Sequence, residues 1–132
     1  MRKVKKRKKN SRPGNHILIN VYFRKFPADF ESVSFSRKFF TRAIREGSFR
    51  VLKTGFHKFK PQGLTGFFLL AESHLSFHTW PEENHMAVDL FTCGDTEPTK
   101  KSLDHITNGL EKYRPRKMNC KTIKRGFVYT GL

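Results

Sequence analysis

The chain has 132 residues, with 27 Lys+Arg against 11 Asp+Glu, a formal charge of +16 and fourteen phenylalanines. That length suits one domain around a single core, and no run approaches the eighteen or so apolar residues of a membrane span. The N-terminal segment lacks the apolar stretch of a secretory signal, and Cys93 and Cys120 do not amount to a disulfide framework, so a soluble protein of a reducing, cytoplasmic compartment is expected.

Residues 1–13 hold Arg2, Lys3, Lys5, Lys6, Arg7, Lys8, Lys9 and Arg12, half of the net charge, and are predicted to be a disordered basic arm. Such an arm either makes weak, sequence-independent contact with a polyanion such as nucleic acid or serves as a solvated tail. Residues 14–132 are read as one domain. A strand is predicted over 16–23 (HILINVYF), with Ile17, Ile19 and Val21 on one face, after the turn-prone Arg12-Pro13-Gly14-Asn15. Val33, Phe35, Phe39, Phe40 and Ala43 recur at helical spacing over 32–46, and Gly47 is a suitable stop.

A second strand is predicted over 49–59. After the turn Pro61-Gln62-Gly63, the continuous apolarity of 65–71 (TGFFLLA) predicts a strand buried on both faces. Two more strands, 74–80 and 86–93, flank Pro81-Glu82-Glu83-Asn84. A helix over 98–113 carries Leu103, Ile106, Thr107 and Leu110, and a last strand over 121–129 carries Ile123, Phe127 and Val128. The order predicts an α+β two-layer sandwich, a largely antiparallel sheet with two helices on one face.

The chemistry concentrates in residues 71–94, where Ser73, His74, His78 and Cys93 sit among alternating apolar residues. Polar groups in so core-like a stretch are either hydrogen-bonded core or a site. A metal site built on His74, His78 and Cys93 lacks the spacings of dependable zinc motifs, and a strand separates such histidines by about 13 Å. No metal is expected. A Cys-His hydrolase needs an oriented base and an oxyanion hole, for which there is no local signature.

The string ESHLSFHTWPE at 72–82, followed in register by AVDLFTCG at 87–94, closely resembles the processing and active-site region of the prokaryotic pyruvoyl-dependent S-adenosylmethionine decarboxylases. The likeness extends to FHKFKPQGLTG at 56–66 and, more weakly, to Gly14-Asn15-His16. The resemblance implies a proenzyme that cleaves itself between Glu72 and Ser73. The Ser73 hydroxyl attacks the Glu72 carbonyl to form an ester, a base removes the α-proton of residue 73, and elimination followed by hydrolysis leaves a pyruvoyl group in place of the serine. Serine suits this because its oxygen is first nucleophile and then leaving group. The pyruvoyl carbonyl then condenses with the amine of S-adenosylmethionine as a Schiff base and takes up the electrons left by carbon dioxide. The product is the aminopropyl donor of spermidine biosynthesis.

By the same resemblance His78 is the processing base, an imidazole being suited to proton abstraction near neutrality. Cys93 is the proton donor in turnover, and the Thr65 hydroxyl steadies the processing intermediate. Phe59, together with His78, stacks on adenine, Glu82 binds ribose hydroxyls, and Trp80 belongs to the substrate-binding set. A homodimer with sites at its interface is also implied. Two departures bear on the substrate: Asn20 stands where many members carry an acid, and Glu83-Asn84-His85-Met86 replaces commoner aromatic and glycine residues. Since pyruvoyl chemistry accepts any α-amino acid that forms the imine, arginine or ornithine is the nearest alternative substrate. A nucleic-acid-binding module or an inactive relative is the alternative of another class. Such a module has no reason to keep the Glu72-Ser73 junction with His78 and Cys93, and the aromatic and basic residues interleaved over 35–59 fall at core-like helical spacing.

Overall fold

A computed structural model of the protein describes residues 14–126. In chain order the elements are β1 (Gly14–Tyr22), α1 (Val33–Glu46), β2 (Val51–Lys58), β3 (Leu64–Leu70), β4 (Ser73–Trp80), β5 (His85–Cys93), α2 (Thr96–Glu111) and β6 (Lys117–Arg125), with 3-10 turns at Ala28–Glu31 and Pro81–Glu83. The strands form one sheet in the order β2-β3-β4-β5-β1-β6, each neighbouring pair antiparallel. The predicted α+β two-layer architecture, with both helices on one face, is the one observed.

Alternation builds the core, because successive strand side chains point to opposite faces. Ile17, Ile19 and Val21 of β1, Phe68 and Leu70 of β3, Leu75 and Phe77 of β4, and Val88 and Leu90 of β5 are buried beneath the helices. The helices answer with Phe40, Ala43 and Ile44 from α1 and Ile106 and Leu110 from α2. Phe40 stacks on Phe77 with centroids 4.5 Å apart. Ser32 caps α1, its Oγ accepting from the Phe35 amide at 3.1 Å. The two helices approach closely at Gly109, where an added Cβ would lie 2.5 Å from the Phe39 ring.

Several boundaries and one burial expectation are corrected. The strand at 65–71 is not buried on both faces: Phe67 and Leu69 are 42% and 38% exposed, because α1 and α2 both cover the opposite side of the sheet. β1 already includes Gly14 and Asn15, which pair with Cys93 and Thr92. β2 is shorter at both ends than predicted, Val51–Lys58. α2 begins two residues early, because Pro98 falls in the first turn, where its missing N–H has no helical partner to lose. β6 begins at Lys117, drawn there by pairing with β1 from Tyr22↔Lys117 to Gly14↔Arg125. Phe127, Val128 and the basic arm over residues 1–13 lie outside the described residues. Among the described residues no helix is long and apolar enough to cross a membrane.

Phe77 is fully buried between α1 and β2, so Phe77→Ala is expected to cost about 3–5 kcal/mol of stability. Urea unfolding of the uncleaved Ser73→Ala chain, with and without the Phe77 change, measures this; a loss below about 1 kcal/mol would show the core closing around the cavity.

Candidate functional site

The helix-free face carries most of the candidate site, while Ser73 shares the parity of the buried side. The parity that buries Leu75 and Phe77 turns His74, Ser76, His78 and Trp80 to the open side, joined by Thr65, Phe67 and Leu69 from β3 and by Asp89, Phe91 and Cys93 from β5. The predicted site residues divide between the two ends of β4.

At one end is the β3–β4 hairpin, where Leu70 pairs with Ser73 across the two-residue turn Ala71-Glu72. Glu72 has φ 63°, a left-handed conformation that favours glycine and costs a glutamate about 1–3 kcal/mol. Ser73 is buried, 7% exposed. The exposed Cys93, at the end of β5, donates its thiol hydrogen to the Glu72 carbonyl oxygen at 3.2 Å. Burial, seconded by the Glu72 charge, raises the Cys93 pKa above that of an ordinary thiol, so the group is held as S–H.

At the other end, Thr65 and His78 are direct partners in the β3–β4 register, and Thr65 Oγ1 lies 2.9 Å from His78 Nδ1. A pocket of about 360 Å³ opens beside them, lined by Phe59, Gln62, Thr65, His78, Trp80 and Glu82 among others. Phe59, His78, Trp80 and Glu82, the predicted stacking and binding residues, are therefore in one cavity together with Thr65. Phe59 and Trp80 expose 47% and 38% of their surface, and Gln62 Nε2 donates to Glu82 Oε1 at 3.3 Å. The pocket's loop is tied to the 3-10 turn before α1: Glu31 Oε1 accepts from the Gly63 amide at 3.2 Å, and the Glu31 carbonyl accepts from Lys58 Nζ at 2.7 Å. Gly63 has φ 108°, which a side-chain-bearing residue rarely adopts.

Ser73 and His78 are not brought together within one chain. Five residues of strand separate them by about 16 Å, and the odd spacing turns them to opposite faces. Between the two ends lies a cluster the sequence did not single out as a unit. His74 rests against Phe91 and Phe67, His16 is edge-on to His74 and Phe91, and Arg125 contacts His16 Nδ1 at 3.2 Å while covering the Phe91 ring. Burial lowers the His74 pKa, helped by the His16 and Arg125 charges and opposed by Asp89. Only the β1–β6 register, absent from any local motif, joins Arg125 to this group. A second cavity, of about 390 Å³, lies between α1 and α2, and no predicted site residue lines it.

Residues 15–126 match the family model described as S-adenosylmethionine decarboxylase. The chain belongs to that family. The relative from Persephonella marina, named an S-adenosylmethionine decarboxylase proenzyme, is 37% identical over 115 residues, covering 87% of this chain and 84% of the relative. The proenzyme of Thermococcus gammatolerans, of the same name, is 41% identical over 90 residues, 68% of this chain and 61% of the relative. The crystal structure of the Aquifex aeolicus adenosylmethionine decarboxylase superposes with a TM-score of 0.77 at 30% identity, covering 92% of this chain and 97% of that one. The Trypanosoma brucei AdoMetDC-delta26 monomer, at TM-score 0.51 and 9% identity, shares the fold over 82% of this chain and 45% of its own.

The raised Cys93 pKa has a direct readout. Alkylation by iodoacetamide at pH 7.5, followed by peptide mass analysis, is expected to be slower at Cys93 than at free cysteine and to quicken as pH rises. A rate matching or exceeding that of free cysteine would reveal a thiolate and remove the donor role.

Proposed function

We infer that the chain is a self-processing pyruvoyl-dependent carboxy-lyase that converts S-adenosylmethionine to its decarboxylated aminopropyl-donor form and carbon dioxide, for spermidine biosynthesis. The observation that carries this reading is the Cys93 thiol on the Glu72 carbonyl, at a strained turn one residue before Ser73. The hairpin fits the formation of a pyruvoyl group: a hydroxyl nucleophile adjoins the carbonyl it must attack, and a protonated donor already polarises that carbonyl. Ser73 Oγ adds to the Glu72 carbonyl carbon and the amide nitrogen leaves, giving an ester. Loss of the α-proton at residue 73 expels the Glu72 carboxylate, and water then replaces the freed nitrogen as ammonia. The pyruvoyl group supplies an electron sink for decarboxylation. Cys93, held as S–H, is the proton donor to the former α-carbon.

His78 is the processing base, and because it is about 16 Å from the Ser73 of its own chain, the base comes from a second copy. Two copies related by a two-fold axis, their open sheet faces together, set the Thr65–His78 end of one β4 against the Ser73–Cys93 end of the other. An isologous contact of this kind completes two sites at once. The exposed Phe67 and Leu69 on that face supply apolar area for the contact. Thr65 orients the His78 ring through the 2.9 Å contact and steadies the intermediate.

The pocket favours S-adenosylmethionine over arginine or ornithine. Phe59, His78 and Trp80 offer flat faces to adenine, and the Glu82 carboxylate is an acceptor for ribose hydroxyls, none of which a linear basic amino acid uses.

Intact-mass analysis is expected to find two chains, the second beginning at residue 73 with a pyruvoyl-blocked end; a single full-length species in both wild type and Ser73→Ala would end the proposal. Cys93→Ala is expected to cleave itself about tenfold more slowly and to lose turnover by about a hundredfold or more. Ser73→Ala and His78→Ala chains should each remain uncut when made alone. Co-expressed, they should yield cleaved His78→Ala chain, because a Ser73→Ala partner supplies the base. Absence of cleavage in the mixture would refute the shared site. Release of labelled carbon dioxide from S-adenosylmethionine, and not from arginine or ornithine, checks the substrate.

A further inference from the structure

The two departures noted in the sequence, Asn20 and His85, touch each other. They are 65 residues apart, and the β1–β5 pairing brings them to one place: His85 Nε2 donates to Asn20 Oδ1 at 3.0 Å. The same imidazole is a filling between two rings, parallel to Tyr22 within 5° at 4.6 Å and to Trp80 within 14° at 4.9 Å. The ladder continues through Trp80 to His78 at 6.0 Å and is capped beyond Tyr22 by the Arg116 guanidinium at 5.8 Å. Asn84, in the left-handed conformation, fastens the turn to the end of β1. Its carbonyl accepts from the Phe23 amide at 2.7 Å and its side-chain oxygen from the Phe26 amide at 2.9 Å.

Trp80 is the wall of the pocket on this side, and its far face is covered by His85. A partly exposed indole with nothing behind it samples several rotamers, whereas one stacked on a hydrogen-bonded ring is fixed before a ligand arrives. We propose that the Asn20–His85 pair is the positioning element of the nucleoside pocket, holding Trp80 in the orientation that receives the substrate's adenosyl group. This rests on the reading of the pocket given above and adds a residue pair that touches no substrate atom. Asn20 suits the task because a neutral acceptor fixes the Nε2–H tautomer without drawing a second proton onto the ring. Burial lowers the His85 pKa, and the Glu83 carboxylate opposes it. Around the imidazole the charged and titratable groups are Glu83 on the adjoining turn, Tyr22 on β1, and, one ring further along the ladder, His78 and Arg116.

Trp80 is the only tryptophan in the chain, so its fluorescence reports this stack directly. Full-length wild type, His85→Ala, His85→Phe and Asn20→Asp are titrated with 5′-methylthioadenosine, the nucleoside without the reacting amine, and assayed for turnover. His85→Ala is expected to weaken nucleoside affinity and raise KM by roughly tenfold while kcat stays within about twofold, and His85→Phe, which restores a flat backing, to recover most of the loss. In a ligand-free pH titration, quenching of Trp80 by protonated His85 should disappear in His85→Phe, and its midpoint should move up by about one unit in Asn20→Asp. Equal affinity in wild type and His85→Ala, or an unmoved midpoint in Asn20→Asp, overturns the proposal while leaving the pocket reading intact. A wild-type chain that binds no nucleoside overturns the pocket reading and the proposal together.

Discussion

The pleat of β4 is the constraint on which everything else depends. Its alternation commits Ser73, Leu75, Phe77 and Thr79 to the helix side and His74, Ser76, His78 and Trp80 to the open side. A shift of one residue would exchange core for chemistry along the whole strand. The register is therefore pinned from both flanks, by β3 from Thr65↔His78 to Leu70↔Ser73 and by β5 from His74↔Phe91 to Trp80↔His85. The same pleat fixes the distance between the reactive hairpin and the imidazole, and no side-chain motion closes 16 Å of extended backbone. In the proposed scheme the second copy is therefore required by covalent geometry more than by an interface preference.

Much of this was legible in the chain. Ile17, Ile19 and Val21 alternate and are buried, and the 72–82 and 87–94 strings fall on adjacent antiparallel strands with Ser73 and Cys93 at one end. The opposite faces of Ser73 and His78 emerge only with β4 beginning at Ser73, one residue before the predicted strand over 74–80. What misled was composition. The run of apolar residues in β3 looks the same whether its second face is covered by the same chain or left open, so its composition does not reveal that Phe67 and Leu69 are exposed. β6 was displaced because it is a polar edge strand, whose position is set by hydrogen bonds to β1 and not by an apolar stripe. The Asn20–His85 contact needed the register of two strands far apart in sequence, and two separate oddities gave no sign of being one.

The two ends of the sheet are stiffened by different means. Around the pocket, stacked rings and the Glu31 and Asn84 clamps hold side chains in place with few charges. At the hairpin the backbone itself is held off its preferred conformation, with Glu72 where glycine would rest more easily. Rigidity suits the proposed recognition of a flat ring, and strain suits the cleavage proposed at the turn.

Under the proposed self-cleavage after Glu72, the Cys93–Glu72 contact also imposes an order in time. Before the chain is cut, the thiol is occupied by the carbonyl of the bond to be broken. Cutting turns that carbonyl into the terminal carboxylate of a separate polypeptide, and the sulfur is released. In the proposed scheme one proton-bearing group serves two reactions and is withheld from the second until the first is finished. Maturation then acts as a safety catch: the tether that restrains the donor is the same peptide bond whose loss creates the electron sink it must serve.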